Sequence, residues 1–409
     1  MPGGFEILKE RGFLKQCSDE EGLKKLLDSE SVAFYAGFDP TGPSLHVGHM
    51  VPLFAMAHLQ RAGHRPIAVV GGGTARIGDP SGKTEMRRMI TIDEIKRNTE
   101  LLKRQISRFI TFDDDKARLV DNADWLADLN YIDFLRDIGR HFSVNRMLTF
   151  EAYKIRLETG LSFIEFNYQL LQSYDFLVLF QKYGCLLQIG GDDQWGNIVS
   201  GMELIRRIEG KESYALTFPL VTRSDGKKMG KTEKGSLFLN PEMTAPYDFY
   251  QYWINIPDED VEKFLFIFTF LPAKEIRELC RVKGSELNAA KERLAYELTR
   301  IVHGPEEADK TRTAAKALFG GKGGDVEAMP SIEIKAAEIK AGVNVLDLFA
   351  RTALCSSKGE ARRLVTQGGA FISEKNITDI NYTVTTTDVK DGSIMLRAGK
   401  KRHFRIIVA

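Results

Sequence analysis

The sequence predicts an α/β protein whose larger part is a doubly wound parallel sheet. Three observations carry that expectation. First, the runs Val32–Phe38, Pro66–Val70 and Cys185–Ile189 are short and apolar, as buried strands are. Second, each leads into a turn cluster, at Asp39–Pro43, Gly71–Gly73 and Gly190–Gly191. Third, Met50, Leu53, Phe54 and Ala57 recur at helical spacing after the first cluster, until Gly63 offers a stop. Strand, turn and helix in succession describe a sheet with helices on both faces. In such sheets ligands bind beyond the carboxyl ends of the strands, because the helix N-termini and turn amides converge there.

The pattern changes further along. From about Asp248 to His303, Phe249, Trp253, Phe264, Phe268, Ile276 and Leu294 fall at helical intervals. Lys322–Pro330 is polar and glycine-bearing, as linkers are. Ser331–Ile339 fits a strand and a docking segment equally well. The last stretch forms its own unit, with a helix holding Gly359–Thr366. Short strands are expected at Ala370–Ile372, Tyr382–Thr385, Ile394–Arg397 and Phe404–Val408. The expected division is residues 1–235 as the α/β domain, 236–330 as a helical domain, 331–343 as a linker and 344–409 as a small α+β module.

The chain has 409 residues, 43% hydrophobic and 28% charged, which excludes collagen-like and wholly disordered classes. No run approaches the length of a membrane-spanning helix. The mixed-charge N-terminus lacks the apolar centre of a secretory signal, so a cytoplasmic protein is expected. Cys17, Cys185, Cys280 and Cys355 lie far apart with no CxxC, and no metal site is expected from them. The net charge of +1 hides an asymmetry. From Asn344 to Ala409 eleven basic residues face six acidic ones, a net +5, so the rest of the chain carries −4. A basic module on a slightly acidic body fits a polyanion partner; a solvated charged surface would look the same.

Five segments carry candidate chemistry. Asp39–His49 (DPTGPSLHVGH) sets His46 and His49 three apart where a helix should begin. Helix N-termini attract phosphate, and imidazole donors there can hold a polyphosphate as charge develops. Asp225–Thr232 (DGKKMGKT) is read as a mobile loop presenting ammonium groups that can follow a pyrophosphate. It does not satisfy the Walker A pattern. In Glu165–Phe180, an expected buried helix, Tyr168, Gln172 and Asp175 share a stripe about 60° wide. The stripe faces either solvent or a polar ligand in a deep slot. Gly191–Asn197 puts carboxylates at a strand end, where they suit a ribose diol. In Gly78–Arg87, Asp79 suits an ammonium group, and Lys83 and Arg87 suit phosphate.

An HVGH helix start followed by KMGKT resembles the two signatures of class I aminoacyl-tRNA synthetases. Gly230 stands where the usual KMSKS carries a serine. The strings YAGFDPTGPSLHVGH, GDPSGKTEMR, FIEFNYQLLQSYDF, LQIGGDDQWGNI and GEARRLVTQGGAFI resemble, end to end, the bacterial-type tyrosyl-tRNA synthetases. The resemblance implies a Rossmann-like catalytic domain, a helical anticodon-binding domain and an S4-like RNA-binding domain. It implies L-tyrosine, ATP with Mg2+ and tRNA-Tyr as substrates, and a homodimer with its interface around Phe163.

Residue by residue, it implies that Tyr35 and an ionised Asp175 hold the substrate phenol. Asp79, Tyr168 and Gln172 would hold its α-ammonium group. Gly37, Asp39 and Thr41 would line the nucleotide path, and His46 and His49 would meet phosphate and ribose. Gly191, Asp193 and Gln194 would hold ribose and the reacting carboxyl region, and Leu220 and Val221 would flank adenine. Lys83, Arg87, Lys228, Lys231 and Thr232 would grip the departing pyrophosphate. A tryptophanyl-tRNA synthetase, a small-molecule nucleotidyltransferase and a non-catalytic RNA-binding relative are the alternatives.

Overall fold

The structure is a computed structural model. It describes residues 3–81, 90–113, 116–226, 229–232, 235–319, 331–352, 354–399 and 402–409. The chain divides into two compact units, Met1–Thr244 with Trp253–His303, and Ala245–Tyr252 with Gly304–Ala409.

The first unit is built on a six-stranded sheet. Its strands are β1 (Gln16–Cys17), β2 (Ala33–Phe38), β3 (Arg65–Val70), β4 (Arg118–Asp121), β5 (Cys185–Gly191) and β6 (Tyr214–Phe218). Their spatial order is β1-β6-β5-β2-β3-β4. All neighbours are parallel except the edge pair β1–β6. The chain runs outward from β2 to β3 and β4, then returns to the other side of β2 as β5. The order therefore reverses between β2 and β5, and a crevice opens beyond their carboxyl ends. The three strands expected from apolar runs form within a residue or two of the stated bounds. β2 is buried at every position but Gly37, as a parallel strand covered on both faces must be.

The turns that begin the helices are locally specified. The helix Met50–Arg61 follows a 3-10 turn at Val47–His49. The helix Ile92–Ile106 opens on a reciprocal Thr91–Glu94 cap, and Phe163–Phe166 on a Ser162–Glu165 cap. The single helix expected over Glu165–Phe180 is two: Phe163–Phe166, then Tyr168–Tyr183, which stops at left-handed Gly184. The Ser162 cap starts one turn early, and that turn ends at Asn167. The following strands β7 (Lys231–Thr232) and β8 (Gly235–Ser236) form a small antiparallel pair.

The helical domain expected at 236–330 is not a unit of its own. Residues 253–303 belong with the α/β sheet, because their aromatic side chains pack there. Phe268 meets Phe54 of the helix Met50–Arg61 at 5.8 Å, and Trp253 stacks edge-on against Phe264 and Phe268. Arg11 adds a polar clamp, donating to the carbonyls of Phe266, Thr269 and Leu271.

The second unit has a five-stranded sheet. It contains β9 (Ser331–Ile334), β11 (Ala370–Ile372), β12 (Lys375–Ile377), β14 (Ser393–Ala398) and β15 (Arg402–Val408), in the order β12-β11-β14-β15-β9. Two more strands, β10 (Val343–Asn344) and β13 (Thr383–Val384), pair separately. The stretch 331–343, expected as a linker, holds a strand and a helix. β9 pairs in parallel with β15, and the helix Ala336–Ala341 follows it. The apolar Ile332 and Ile334 pack against this unit's core, which contains Leu348, Phe349, Val365, Leu396 and Ile406. No helix among the described residues is long and apolar enough to cross a membrane.

Candidate active site

Asp39, Tyr168 and Asp175 are joined by hydrogen bonds beyond the carboxyl ends of the parallel strands, as are Asp79, Gln172 and Gln194. Tyr35 sits in the middle of β2, and its ring lies 5.3 Å from that of Phe176 on the helix Tyr168–Tyr183. Its hydroxyl is buried and has no hydrogen-bond partner among the described residues. A buried hydroxyl without a partner is costly unless a ligand satisfies it. Burial first, and then the Asp175 carboxylate, hold the Tyr35 phenol well above its usual pKa, so it is a neutral donor.

Asp175 is only 4% exposed. Its Oδ1 accepts from Trp125 Nε1 at 2.7 Å and its Oδ2 from Asn122 Nδ2 at 2.9 Å. Burial pushes its carboxyl up to about 7, against the opposing pull of those two hydrogen bonds. Burial penalises the charge expected of Asp175 from the sequence, and the two hydrogen bonds favour it.

From Asp175 a buried polar chain leads to the helix start. Asn122 Nδ2 also donates to Thr74 Oγ1 at 3.0 Å. Thr74 Oγ1 donates to Asp39 Oδ1 at 2.7 Å, and Tyr168 Oη donates to Asp39 Oδ2 at 2.9 Å. A second chain begins at Asp79. Gln194 Nε2 donates to Asp79 Oδ2 at 2.7 Å. Asn197 Nδ2 donates to Gln194 Oε1 at 3.2 Å and to Gln172 Oε1 at 3.0 Å. Burial pushes the Asp79 carboxyl up to about 6, opposed by the Ser81 amide and by Gln194. Tyr168, Gln172 and Asp175 thus turn their shared stripe inward to polar partners.

The two histidines cap the turn that precedes the helix. His46 Nδ1 accepts from the Gly48 amide at 3.0 Å, and His49 Nδ1 accepts from the His46 amide at 3.1 Å. With both Nδ1 atoms accepting, the neutral rings carry their proton on Nε2 and are donors there. The rings lie 4.0 Å apart. Gly48 is required for this packing: a Cβ would fall 2.8 Å from His46 Cε1.

The segment after β8 ties this turn to the KMGKT segment. The Val47 amide donates to the Leu237 carbonyl, and the Leu237 amide donates to the Gly230 carbonyl. Gly230 has φ +73°, and a Cβ on it would lie 3.0 Å from Val47 Cβ. Lys83, Arg87 and Lys228 lie outside the described residues, and of Lys231 and Thr232 only the backbone strand is described.

Gly37 is exposed on β2 with open space where a side chain would be, and the Thr41 amide donates to the Asp39 carbonyl at 2.8 Å. Gly191 ends β5, and Asp193 lies in the 3-10 turn Asp192–Gln194 just beyond it. Leu220 and Val221 line a different cavity of about 420 Å³, with Arg11, Lys263 and Phe266. None of the tyrosine-pocket candidates lines it.

Sequence reasoning missed Asn122, Trp125 and Thr74, and assigned nothing to Asn197. A signal existed for the first three: all follow the carboxyl ends of β3 and β4, where the fold gathers polar groups. Among the described residues no three or more His, Cys, Asp and Glu side chains gather as a metal site would need.

Comparison with known proteins adds the following. The family model "tRNA synthetases class I (W and Y)" matches residues 27–320, and "Tyrosine--tRNA ligase SYY-like C-terminal domain" matches residues 324–406. A Tyrosine--tRNA ligase of Treponema denticola is 57% identical over 408 residues, covering all of both chains. One from Acetivibrio thermocellus is 55% identical, covering 99% of each. Among solved structures, a C-terminally truncated Aspergillus nidulans mitochondrial tyrosyl-tRNA synthetase is 31% identical, with a TM-score of 0.70. That match covers 78% of this chain and 95% of the other.

Proposed function

We propose a division of labour among these residues on one premise: the chain belongs to the tyrosine–tRNA ligases, a family of class I aminoacyl-tRNA synthetases. The tryptophanyl alternative is not favoured, since the full-length relatives carry the tyrosine name. The family's reaction has two steps. The carboxylate of L-tyrosine attacks the α-phosphorus of ATP, giving tyrosyl-adenylate and pyrophosphate. The 3′-terminal ribose hydroxyl of tRNA-Tyr then attacks the adenylate carbonyl. The first nucleophile is already ionised at neutral pH, so that step needs positioning and charge stabilisation rather than a general base.

One observation carries the amino-acid assignment: the buried, partnerless Tyr35 hydroxyl beside the buried Asp175. The substrate phenol would donate to Asp175 and accept from Tyr35. Phenylalanine would leave both unpaired, which is how a hydroxyl-reading site discriminates strongly. Asp79, with Tyr168 and Gln172, would receive the α-ammonium group. His46 and His49 would offer Nε2–H donors to the phosphates and ribose of ATP, which enters as its Mg2+ complex. Asp193 and Gln194 would hold ribose and the carboxyl region, with Gly37, Asp39, Thr41 and Gly191 along the nucleotide path and Leu220 and Val221 at adenine. Lys83, Arg87, Lys228, Lys231 and Thr232 would draw off pyrophosphate.

The segment 253–303 would serve the anticodon end of tRNA together with residues up to 330, and the basic C-terminal module would bind its backbone. The enzyme would work in the cytoplasm as a homodimer. Exposed Tyr131, Ile132, Val144, Leu157 and Phe163, all from one stretch of chain, support an apolar face that a second copy would cover. The test of the reading is exchange of labelled pyrophosphate into ATP. We expect exchange that requires L-tyrosine; exchange without any amino acid, or with phenylalanine at equal rate, would refute it.

A further inference from the structure

The expected nucleotide-holding Asp193 and the tyrosine-side Gln194 sit in a three-residue turn whose first member, Asp192, does a different job. Asp192 Oδ1 accepts from Thr217 Oγ1 at 3.0 Å and from Gln16 Nε2 at 2.7 Å. Thr217 lies on β6, and Gln16 lies opposite it on the edge strand β1. The segment around Gln16 is itself fastened to β6. The Lys15 amide donates to the Thr217 carbonyl at 2.8 Å, and the Ser18 amide to the Ala215 carbonyl at 3.0 Å. Further back, the fully buried Phe13 packs edge-on against Phe218. Two donors from two strands therefore converge on one carboxylate oxygen at the end of a third strand.

We propose that Gln16 is a positioning residue for ATP: with Thr217 it holds the Asp192 carboxylate, and so sets the turn that presents Asp193 to the nucleotide. The N-terminal edge strand is thereby part of the ATP site, although it touches no substrate. The geometry separates the two substrates. Asp192 is pinned on the β6 side of the turn, whereas Tyr35, Asp175 and Asn122 lie on the β2 and β4 side. Gln194, at the far end of the turn, is held separately by Asp79 and Asn197, so loosening the Asp192 end should affect ATP much more than tyrosine. The inference rests on the reading of Asp193 as a ribose ligand.

The experiment measures pyrophosphate exchange and equilibrium binding of tyrosine in the full chain, for Gln16→Leu, Asp192→Ala, Asp193→Ala and the double variant Gln16→Leu/Asp192→Ala. Gln16 is half-buried, and leucine keeps its bulk, so the fold should hold. We expect Gln16→Leu to raise KM for ATP about tenfold, the scale of one hydrogen bond to a charged group. The tyrosine dissociation constant should stay within about twofold. The double variant should match Asp192→Ala alone, because Gln16 acts only through that carboxylate. An unchanged KM for ATP, a parallel loss of tyrosine affinity, or additive effects in the double variant would each overturn the inference. If Asp193→Ala raises KM for ATP while Gln16→Leu does not, the inference fails and the ribose assignment stands. If Asp193→Ala leaves it unchanged, both fail. Thr217→Val, which removes the other donor, should act in the same direction as Gln16→Leu.

Discussion

The Tyr35 hydroxyl is a test of the amino-acid pocket in a single atom. It is buried without a partner among the described residues, so removing it should not cost stability in the empty protein. We expect Tyr35→Phe to keep or raise the unfolding free energy, by about 1 kcal/mol at most, while weakening tyrosine binding about tenfold. Urea denaturation and equilibrium dialysis read the two effects; a clear loss of stability would mean the hydroxyl has a structural role instead. Asp79 makes the pocket sensitive to pH. In the proposed role its carboxylate receives the α-ammonium of tyrosine, and burial pushes that group up to about 6. Tyrosine affinity should fall as pH drops through about 6, by at most about tenfold per unit, and Asp79→Asn should bind weakly and without that slope. The sign for stability is opposite. Asp79 and Asp175 have carboxyls raised from 3.8 to about 6 and about 7, so across that window the folded protein holds more protons than the unfolded chain. The unliganded protein should therefore lose stability as pH rises from about 4 to 7, and each Asp→Asn variant should lose part of that decline.

At the scale of elements, Val47 is what joins the two signature motifs. The turn that holds both histidines hydrogen-bonds through Leu237 to Gly230, and Gly230 sits against Val47 in a left-handed conformation. A serine there, as in the usual motif, would carry a Cβ into that contact. Gly230→Ala should cost about 1 kcal/mol of local order, from the positive φ alone. If the loop acts on pyrophosphate, the exchange rate should fall several-fold with tyrosine affinity unchanged. An effect on tyrosine affinity with the rate preserved would put the loop in the wrong role. Elements also show where periodicity runs out. The stripe of Tyr168, Gln172 and Asp175 was legible because three positions on one helix obey one angle. The contacts of Asn122 and Trp125 with Asp175, and of Thr74 with Asn122 and Asp39, obey no such angle: the partners lie 35 to 53 residues apart and meet only when the strands and the helix Tyr168–Tyr183 pack.

For the whole molecule, the domain boundaries expected from composition shifts were the least secure reading. The helical stretch 253–303 joins the sheet unit through aromatic packing, and residues 331–334 complete the sheet of the C-terminal unit. Composition reports what a segment is made of; it does not report which core the segment is buried in. Assembly is tested at this scale. Phe163 is 71% exposed in the single chain. Phe163→Asp should shift the sedimenting species from two chains to one at micromolar concentration, while the circular dichroism spectrum stays unchanged. A wild-type protein that sediments as one chain would remove the dimer from the proposal.

The amino-acid sequence by itself determined the strand–turn–helix rhythm, the family, and the residue types of the pocket, because each depends on local spacing that every copy of the chain carries in order. It also assigned the basic charge to the C-terminal stretch, which counting alone reveals. Only the tertiary structure decided that burial raises the Asp175 carboxyl above the usual range, that Tyr168 donates to Asp39, and that Gln16 reaches Asp192. Those facts depend on burial and on contacts between residues distant in sequence, and both come into being only when the strands assemble side by side.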